Sequence, residues 1–265
     1  MSRLVTLTTD FGLQDHYVAV MKAVILGKTP TARLVDISHE IPPHDVMAGA
    51  WVLRNAYPHF PAKTVHLVVV DPGVGTHRKP IIVELDDQLF VGPDNGVFSL
   101  LTARDSFRAW EINDPEIRHA GNSSTFHGRD LFAPAAARLA AGISPTKLGD
   151  RIDELVTYRW ARPIADPAGI QGWIVHIDRF GNLISNIPEE MIRKTVAGRP
   201  LKIYVGNTIM EEISATYASV EEGDPLACIG SSGMLEIAVN KGNAAEMLGV
   251  VKGAQISLVT QTGPR

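Results

Sequence analysis

Three short segments of the chain set a potentially reactive side chain beside glycine or at the end of a β-branched run. They are TLTTDFGLQD at 6–15, VVVDPGVGTHR at 68–78 and TFHGRD at 125–130, and the side chains in question are Asp10, Asp71 and His127. Backbone can approach a small ligand closely at such positions. The pattern is typical of an active site.

Asp71 precedes a Pro-Gly turn, and Arg78 follows it across that turn. A carboxylate and a guanidinium so placed can hold one another ionised and leave lone pairs that orient a water molecule. A structural ion pair that fixes the loop explains the same spacing. His127, between Phe126 and Gly128 at the entrance of a predicted helix, fits a general base, a ligand or a simple cap.

Asp10 and Asp15 flank FGLQ before another predicted helix. Either could cap that helix, because acidic side chains are favoured at helix N-termini. Alternatively, Asp10 accepts hydrogen bonds from ribose hydroxyls, as carboxylates at strand ends do in nucleotide sites.

Two further segments combine turn chemistry with groups that suit a nucleoside or an anion. IDRFGN, with Asp178, Phe180 and Asn182, reads as a hairpin turn, yet an aromatic face beside an amide also suits a purine. Ser231 and Ser232, followed by glycine, supply hydroxyls and bare backbone suited to a carboxylate or phosphate.

The first part of the chain alternates valine-rich runs with helical patterns, which predicts an α/β domain over 1–164. Predicted strands cover 3–9, 33–37 and 65–70, and predicted helices cover 17–26, 46–56 and 131–141. Continuous apolar strands favour a mainly parallel central sheet covered on both faces. Ligands bind beyond the carboxyl ends of such strands, so Asp10 and Asp71 should share a crevice.

The segment 161–172, ARPIADPAGIQG, breaks both periodicities and is interpreted as the domain boundary. Beyond it, short apolar runs alternate with turn residues. This pattern predicts a smaller antiparallel all-β domain over 172–265, a barrel or a sandwich.

Composition narrows the class of partner. A net charge of -4 over 265 residues gives no electrostatic reason to expect nucleic acid, and no run of 18 apolar residues predicts a membrane span. An acidic residue follows only a few apolar ones at the N-terminus, so a cytoplasmic protein without a signal peptide is expected. The single cysteine, Cys228, has apolar neighbours and is predicted to be a buried structural thiol.

Several motifs are absent from the sequence. It has no GxxxxGK[ST], no GxGxxG after a strand, no HExxH, no CxxC and no GxSxG, which disfavours ATPase, dinucleotide and serine hydrolase chemistry. The histidines follow no recognised metal-ligand spacing, so no metal or other cofactor is predicted. Their number, together with the many aspartates, leaves a metal-dependent hydrolase open.

Seven motifs, in this order, resemble one known family: TDFGLQDHYV, PPHDV, VVDPGVGTHR, GPDNG, TFHGRDLFAPAAA, IDRFGNLISNI and SSGMLEIAVNKGNAAE. The chain resembles the S-adenosyl-L-methionine (SAM) hydroxide adenosyltransferases, which are adenosine-forming SAM hydrolases in the superfamily of the fluorinase and chlorinase. The resemblance runs from about residue 8 to residue 246. It implies a homotrimer that holds SAM between domains of neighbouring subunits.

The resemblance also implies roles for individual residues. Asp71, Arg78 and His127 match the triad that handles water. Asp10 would bind the ribose diol, Asp15 the methionine ammonium, and the pair Ser231 and Ser232 the methionine carboxylate. Asp178, Phe180 and Asn182 would surround the nucleoside, and His44, Phe126 and Gly128 would complete the substrate site.

Two departures from the halogenating branch favour water as the nucleophile. Gly128 and Val74 stand where that branch has serine and threonine, so a halide would lose hydroxyl contacts. Asp71 and His127 would instead repel a halide and bind water. The sequence leaves open which of them removes the proton. A SAM-binding sensor without turnover and a metal-dependent hydrolase remain alternatives, and a halogenase is a more distant one.

Overall fold

A computed structural model of the chain describes residues 3–102, 106–117, 124–158 and 162–260. Contacts divide the chain into two compact units, Met1–Tyr158 and Arg159–Arg265. Each unit has its own sheet and its own apolar core. Among the residues described, no helix has both the length and the apolar character needed to cross a membrane.

The first unit is built on a seven-stranded sheet with the order β2-β1-β3-β5-β4-β6-β7. Its strands are β1 Leu4–Thr9, β2 Arg33–Ser38, β3 Val65–Val69, β4 Pro80–Leu85, β5 Gln88–Pro93, β6 Arg108–Ile112 and β7 Gly149–Ile152. Its helices are α1 Tyr17–Lys28, α2 Val46–Ala56, α3 Ser99–Thr102 and α4 Ala133–Ala140. The predicted strands and helices of this unit are therefore confirmed, with small shifts at their ends.

The expectation of a mainly parallel sheet is wrong in its extent, because the sheet is mixed. The pairs β1–β2, β1–β3 and β3–β5 are parallel, whereas β4–β5, β4–β6 and β6–β7 are antiparallel. β4 and β5 are joined by Asp86 and Asp87, both with positive φ, at 51° and 57°. Two consecutive left-handed residues match the twist of a tight hairpin, which sends the chain back antiparallel.

β1 and β3 are adjacent and in register, and this pairing positions the site. Val5 pairs with Val65 and Thr9 with Val69, so the two strands end at the same edge of the sheet. Both strands are buried, and helices α1 and α4 pack together against the core that contains Leu7 and Leu67. Asp10 and Asp71 consequently emerge from one edge although the sequence separates them widely.

The second unit is an eight-stranded, entirely antiparallel sheet with the order β12-β11-β15-β9-β10-β14-β13, and β8 pairs with β9. Its strands are β8 Ile164–Asp166, β9 Gly169–Ile177, β10 Leu183–Pro188, β11 Leu201–Val205, β12 Thr208–Met210, β13 Pro225–Ile229, β14 Met234–Val239 and β15 Gln255–Thr260. The short strands expected from the sequence are confirmed. The unit is not all-β, because it also contains the helices α5 Glu189–Val196 and α6 Ala244–Met247.

Helix α5 follows from local sequence. Pro188 precedes it, acidic residues occupy its first turn and basic residues its last turn, which complements the helix dipole. Glu189 with Arg193 and Glu190 with Lys194 form pairs four residues apart. The helix was not predicted, because its eight residues lie between two strands and are too few to show a clear helical periodicity.

The predicted boundary segment 161–172 is partly regular structure. It contains the hairpin of β8 and β9, whose turn is closed by Oδ1 of Asp166 accepting from the backbone N–H groups of Ala168 and Gly169. Ala161 lies outside the described residues. Of the two prolines and two glycines that suggested the boundary, Pro167 lies in this turn, and both glycines lie in β9.

Candidate active site

Asp71 is placed by the end of β3 and by a neighbouring turn. The amide of Asn95 donates from Nδ2 to the carbonyl of Val70 at 2.8 Å, and its Oδ1 accepts from the backbone of Val97 at 3.2 Å. The GPDNG segment thus contains a structural turn. It fixes the backbone immediately before Asp71.

Arg78 binds the carboxylate of Asp71 in a bidentate manner. Its Nε lies 2.9 Å from Oδ2 and 3.1 Å from Oδ1, and its Nη2 donates to Oδ2 at 2.5 Å. Both side chains are nearly buried, at 8% and 5% exposure. The guanidinium also lies 5.1 Å over the ring of Phe132. Planar pairing and stacking together fix the orientation of the guanidinium.

His127 contacts the same guanidinium. Nη2 of Arg78 lies 2.7 Å from Nδ1 of His127. A guanidinium only donates, so Nδ1 accepts and the ring proton of the neutral imidazole resides on Nε2. His127 directly precedes a π-helical turn, Gly128–Phe132, that continues into α4. Such single turns are frequent at functional sites.

Asp10 binds backbone rather than capping α1. Its Oδ2 accepts from the backbone N–H of His44 at 2.8 Å, and His44 has a φ of 67°. The N-cap of α1 is His16, without a side-chain capping bond, so the helix-cap interpretation of Asp10 and Asp15 is wrong. The next residue, Asp45, caps α2 by accepting from Ala48 at 2.9 Å.

Several of these residues line one cavity of about 300 Å³. Asp10, Asp71 and His127 all border it, which confirms the expected crevice. The complete lining is Asp10, Phe11, Tyr17, Pro43, His44, Val69, Asp71, Val74, Thr125, Phe126, His127 and Gly128. Asp15 is exposed and lies outside this lining.

Three aromatic rings form one wall of the cavity. The ring centroids of Phe11 and Phe126 are 6.0 Å apart, and those of Tyr17 and Phe126 are 5.2 Å apart. Both pairs have edge-to-face geometry, which is favourable for aromatic rings. Sequence reasoning missed Phe11 and Tyr17. Their only sequence signal was their position, with one aromatic residue on each side of the GLQDH segment that follows β1.

In the second unit, Asp178 organises the loop between β9 and β10. Its Oδ1 accepts from the backbone of Phe180 at 2.8 Å and of Asn182 at 2.9 Å, and its Oδ2 accepts from Nδ2 of Asn182 at 3.0 Å. The hairpin-turn interpretation is confirmed. Phe180 is 75% exposed on this loop, whereas Asn182 is buried. The loop therefore presents an aromatic face to solvent on a rigid base.

Ser231 and Ser232 lie in the turn between β13 and β14, at the other end of β14 from that loop. Leu183 pairs with Ile237, while the backbone of Glu189 donates to Gly233 beside the serine turn. At about 3.3 Å per residue, the two loops are separated by on the order of 15–20 Å along the strand.

Glu236 lies on β14 between the two loops. Its carboxylate is buried and accepts from the hydroxyl of Tyr217 at 2.6 Å. Burial raises the pKa of this carboxyl, and the neighbouring charge of Asp178 acts in the same direction. Sequence reasoning did not select Glu236, because a single acidic residue in a strand carries no spacing signal.

Cys228 is buried as expected, and burial raises the pKa of its thiol to about 11. Within the part of the chain that the structure describes, no three His, Cys, Asp or Glu side chains converge so as to hold a metal ion.

Models of the SAM hydroxide adenosyltransferase N-terminal and C-terminal domains match residues 5–149 and 172–257. The chain belongs to this family. It is 40% identical over 265 residues to the (R)-S-adenosyl-L-methionine hydrolase of Thermus thermophilus, covering 97% of this chain and 100% of that protein. A crystal structure of an uncharacterized conserved protein from Thermotoga maritima has a TM-score of 0.85 and 37% identity, covering 97% of this chain and 99% of that one. The fluorinase of Nocardia brasiliensis is 26% identical over 289 residues, covering 96% of each.

The family resemblance that the motifs indicated is confirmed. Val74 and Gly128, the two positions expected to differ from the halogenating branch, both line the cavity. A Cβ built on Gly128 would lie 3.1 Å from Sδ of Met21 and 3.2 Å from Cε2 of Phe126. The packing around Gly128 therefore leaves little room for a larger residue.

Proposed function

We propose that the protein hydrolyses SAM to adenosine and L-methionine by attack of water on the 5′ carbon of the ribose. The observation that carries the proposal is the contact of Arg78 with both Asp71 and His127 at the wall of one cavity. Membership of the hydroxide adenosyltransferase family and the activity named for the relative from Thermus thermophilus support it.

The reaction is an in-line displacement. The oxygen of water forms a bond to the 5′ carbon while the bond from that carbon to the sulfonium sulfur breaks. Methionine leaves as a neutral thioether and needs no acid, and the proton of the water passes to a base. Alignment of this kind contributes on the order of 7–11 kcal/mol in ideal intramolecular systems, and a positioned base adds about 10²–10⁴ in rate.

We assign Asp71 as the base that accepts the proton of the attacking water. The bond from Arg78 occupies Nδ1 of His127, so Nε2 already carries the ring proton and has no lone pair for a second one. The carboxylate of Asp71 has lone pairs beyond those that bind Arg78, and it borders the cavity. His127 then orients the water as a donor, and Arg78 holds both groups in place.

Asp10 suits the ribose diol. Its Oδ2 binds the backbone of His44, which aims the carboxylate, and among the described residues no hydrogen bond uses its Oδ1. A carboxylate oxygen accepts from vicinal hydroxyls. The aromatic wall of Phe11, Tyr17 and Phe126 keeps water other than the nucleophile away from the reacting carbon.

The second unit supplies the remaining contacts in this proposal. Phe180 would stack on adenine, while Ser231 and Ser232 would bind the methionine carboxylate, so the substrate would lie along β14. Nδ2 of Asn182 donates one of its two protons to Asp178, so Asn182 would read adenine through Oδ1 and the second N–H. The ammonium would pair with Asp15. We further propose a homotrimer in which neighbouring subunits complete each site, as the resemblance implies.

Water is the proposed nucleophile because the cavity wall at Val74, Gly128 and Asp71 does not favour binding of a halide ion. Val74 and Gly128 supply no hydroxyl, and the carboxylate of Asp71 repels an anion. We propose that no metal or other cofactor takes part and that the protein works in the cytoplasm.

The proposal is tested by incubating chelator-treated protein with SAM, with and without chloride, and separating the products. Equal amounts of adenosine and methionine, unaffected by chelator or chloride, are expected. Loss of activity on chelation would favour a metal-dependent hydrolase, intact SAM would favour a sensor, and chloride-dependent 5′-chloro-5′-deoxyadenosine would favour a halogenase.

A further inference from the structure

A series of polar groups runs from the partly exposed side chains of Lys22 and Asp36 to the buried end of β1, beside the turn that carries Asp10. Nζ of Lys22 lies 2.6 Å from Oδ2 of Asp36, and Oδ1 of Asp36 lies 3.0 Å from Nε2 of His39. Nδ1 of His39 lies 2.8 Å from Oγ1 of Thr9. His39 and Thr9 are 4% and 0% exposed, so water does not replace these contacts.

The contacts of His39 have a consistent direction. The carboxylate of Asp36 lies beside Nε2 as a charge contact rather than as a hydrogen bond, and its negative charge favours the ring proton of a neutral His39 on that nitrogen. Nδ1 then accepts from the hydroxyl of Thr9. The lone pairs of that hydroxyl are left for the backbone N–H of Phe11, which donates to Oγ1 at 3.3 Å.

His39 holds the same turn a second time through its backbone, because its carbonyl accepts from the N–H of Gly12 at 2.8 Å. The turn is therefore bound at Thr9, Phe11 and Gly12. Asp10 lies inside it and reaches His44 through Oδ2. The position of the Asp10 carboxylate depends on a residue that does not line the cavity.

We propose that His39 is a positioning residue for the substrate site. Through Thr9 it fixes the turn at Asp10 and thereby raises the affinity for the ribose of the substrate. The inference rests on the proposed function for its kinetic readout, because it assigns Asp10 to the ribose diol.

The first unit contains a matched control for this contact. Oγ1 of Thr6, on the same strand and 0% exposed, lies 2.7 Å from Nδ1 of the buried His66. This second threonine–histidine pair lies away from the cavity. Removing either hydroxyl should lower the stability of the protein by a similar amount, but only removal of the Thr9 hydroxyl should weaken substrate binding.

The experiment compares Thr9→Val, Thr9→Ser and Thr6→Val in the full-length protein. Loss of one buried hydrogen bond changes an equilibrium constant by a factor of about ten. Thr9→Val should therefore raise KM for SAM and Kd for adenosine about tenfold while kcat changes little, and Thr9→Ser should retain wild-type values. Thr6→Val should lower Tm without changing KM. Equal KM values for Thr9→Val and Thr6→Val would overturn the proposal.

A ligand-free measurement separates failure of this inference from failure of the proposed function. In Thr9→Val, amide hydrogen exchange at Phe11 and His44 should accelerate about tenfold, and in Thr6→Val it should not. Unchanged exchange at both amides would overturn the inference even if the wild-type protein hydrolyses SAM. His39→Asn, which keeps an acceptor near the position of Nδ1, should retain lower KM values than His39→Leu, and equal values would count against His39.

Discussion

Nη2 of Arg78 lies 2.7 Å from Nδ1 of His127 while the same guanidinium binds the carboxylate of Asp71. One cation thus sets both the orientation of the carboxylate and the tautomer of the imidazole. The two neighbours of Arg78 consequently have different roles, with Asp71 as acceptor and His127 as donor.

The tautomer of His127 is the first prediction. In ¹⁵N-histidine spectra at neutral pH, with His127→Asn used for assignment, Nδ1 of His127 should be unprotonated and Nε2 protonated. Arg78→Lys should weaken this preference, because an ammonium cannot reproduce the planar double contact. A proton on Nδ1 in the wild-type protein would contradict the assignment of Asp71 as the base.

Asp71→Asn should lower kcat by about 10²–10⁴ while the affinity for SAM changes by less than about tenfold. The amide keeps the shape of the side chain but cannot take the proton. Steady-state kinetics together with calorimetric binding of SAM measure the two effects.

Asp114→Asn is the control, because Asp114 also forms an ion pair with an arginine, Arg138, at 2.9 Å, and neither residue lines the cavity. Its kcat should remain that of the wild type. Equal losses of kcat and affinity in Asp71→Asn would count against a catalytic role for this carboxylate.

Gly128→Ser should destabilise the protein and should not create a halogenase. The added Cβ would meet Sδ of Met21 at 3.1 Å and Cε2 of Phe126 at 3.2 Å, and overpacking of this kind typically costs about 1–3 kcal/mol. Thermal unfolding and a product assay in chloride test both parts.

Gly27→Ala is the control for that substitution. Gly27 lies in α1, and apart from its chain neighbours and the backbone of its own helix no described atom lies within 4 Å of a built Cβ, so alanine should be neutral or stabilising. Chloride-dependent 5′-chloro-5′-deoxyadenosine from Gly128→Ser would show that the hydroxyl alone redirects the reaction.

Buried His66 should make the protein less stable in mild acid. Burial lowers its pKa to about 4, against 6.5 for an ordinary histidine, although a hydrogen bond to Gln88 opposes the shift. Between about pH 6.5 and pH 4 the unfolded chain binds a proton that the native state does not. The free energy of unfolding should therefore fall through this range by up to about 3 kcal/mol.

Denaturant titrations at several pH values measure this slope. It should become shallower in His66→Gln. An identical slope in the wild type and His66→Gln would mean that other groups cause the acid sensitivity.

Contacts that follow from strand pairing could be predicted from the sequence. Asp10 and Asp71 were expected to meet because parallel strands end at one edge of a sheet, and they do line one cavity. The contact of Arg78 with His127 could not be derived in this way, since 49 positions separate them and the π-helical turn that carries His127 on to α4 has no sequence signature.

Tertiary packing also overrode local signals. Asp10 is an acidic residue shortly before a helix, as a helix cap would be, yet it binds the backbone of His44. The left-handed backbone conformation of His44 turns its N–H toward the end of β1. In the sequence, His39 follows no recognised metal-ligand spacing. Its hydrogen bond to Thr9 requires β1 and β2 to pair first.

The central claim is attack of water on the 5′ carbon of SAM, and hydrolysis in ¹⁸O-labelled water tests it most directly. Chelator-treated protein is incubated with SAM in this water, and the masses of the nucleoside and amino acid products are measured by mass spectrometry. The account predicts adenosine with one ¹⁸O at the 5′ position, unlabelled methionine, and loss of this product in Asp71→Asn. Unchanged SAM, or adenosine without the label, would contradict it.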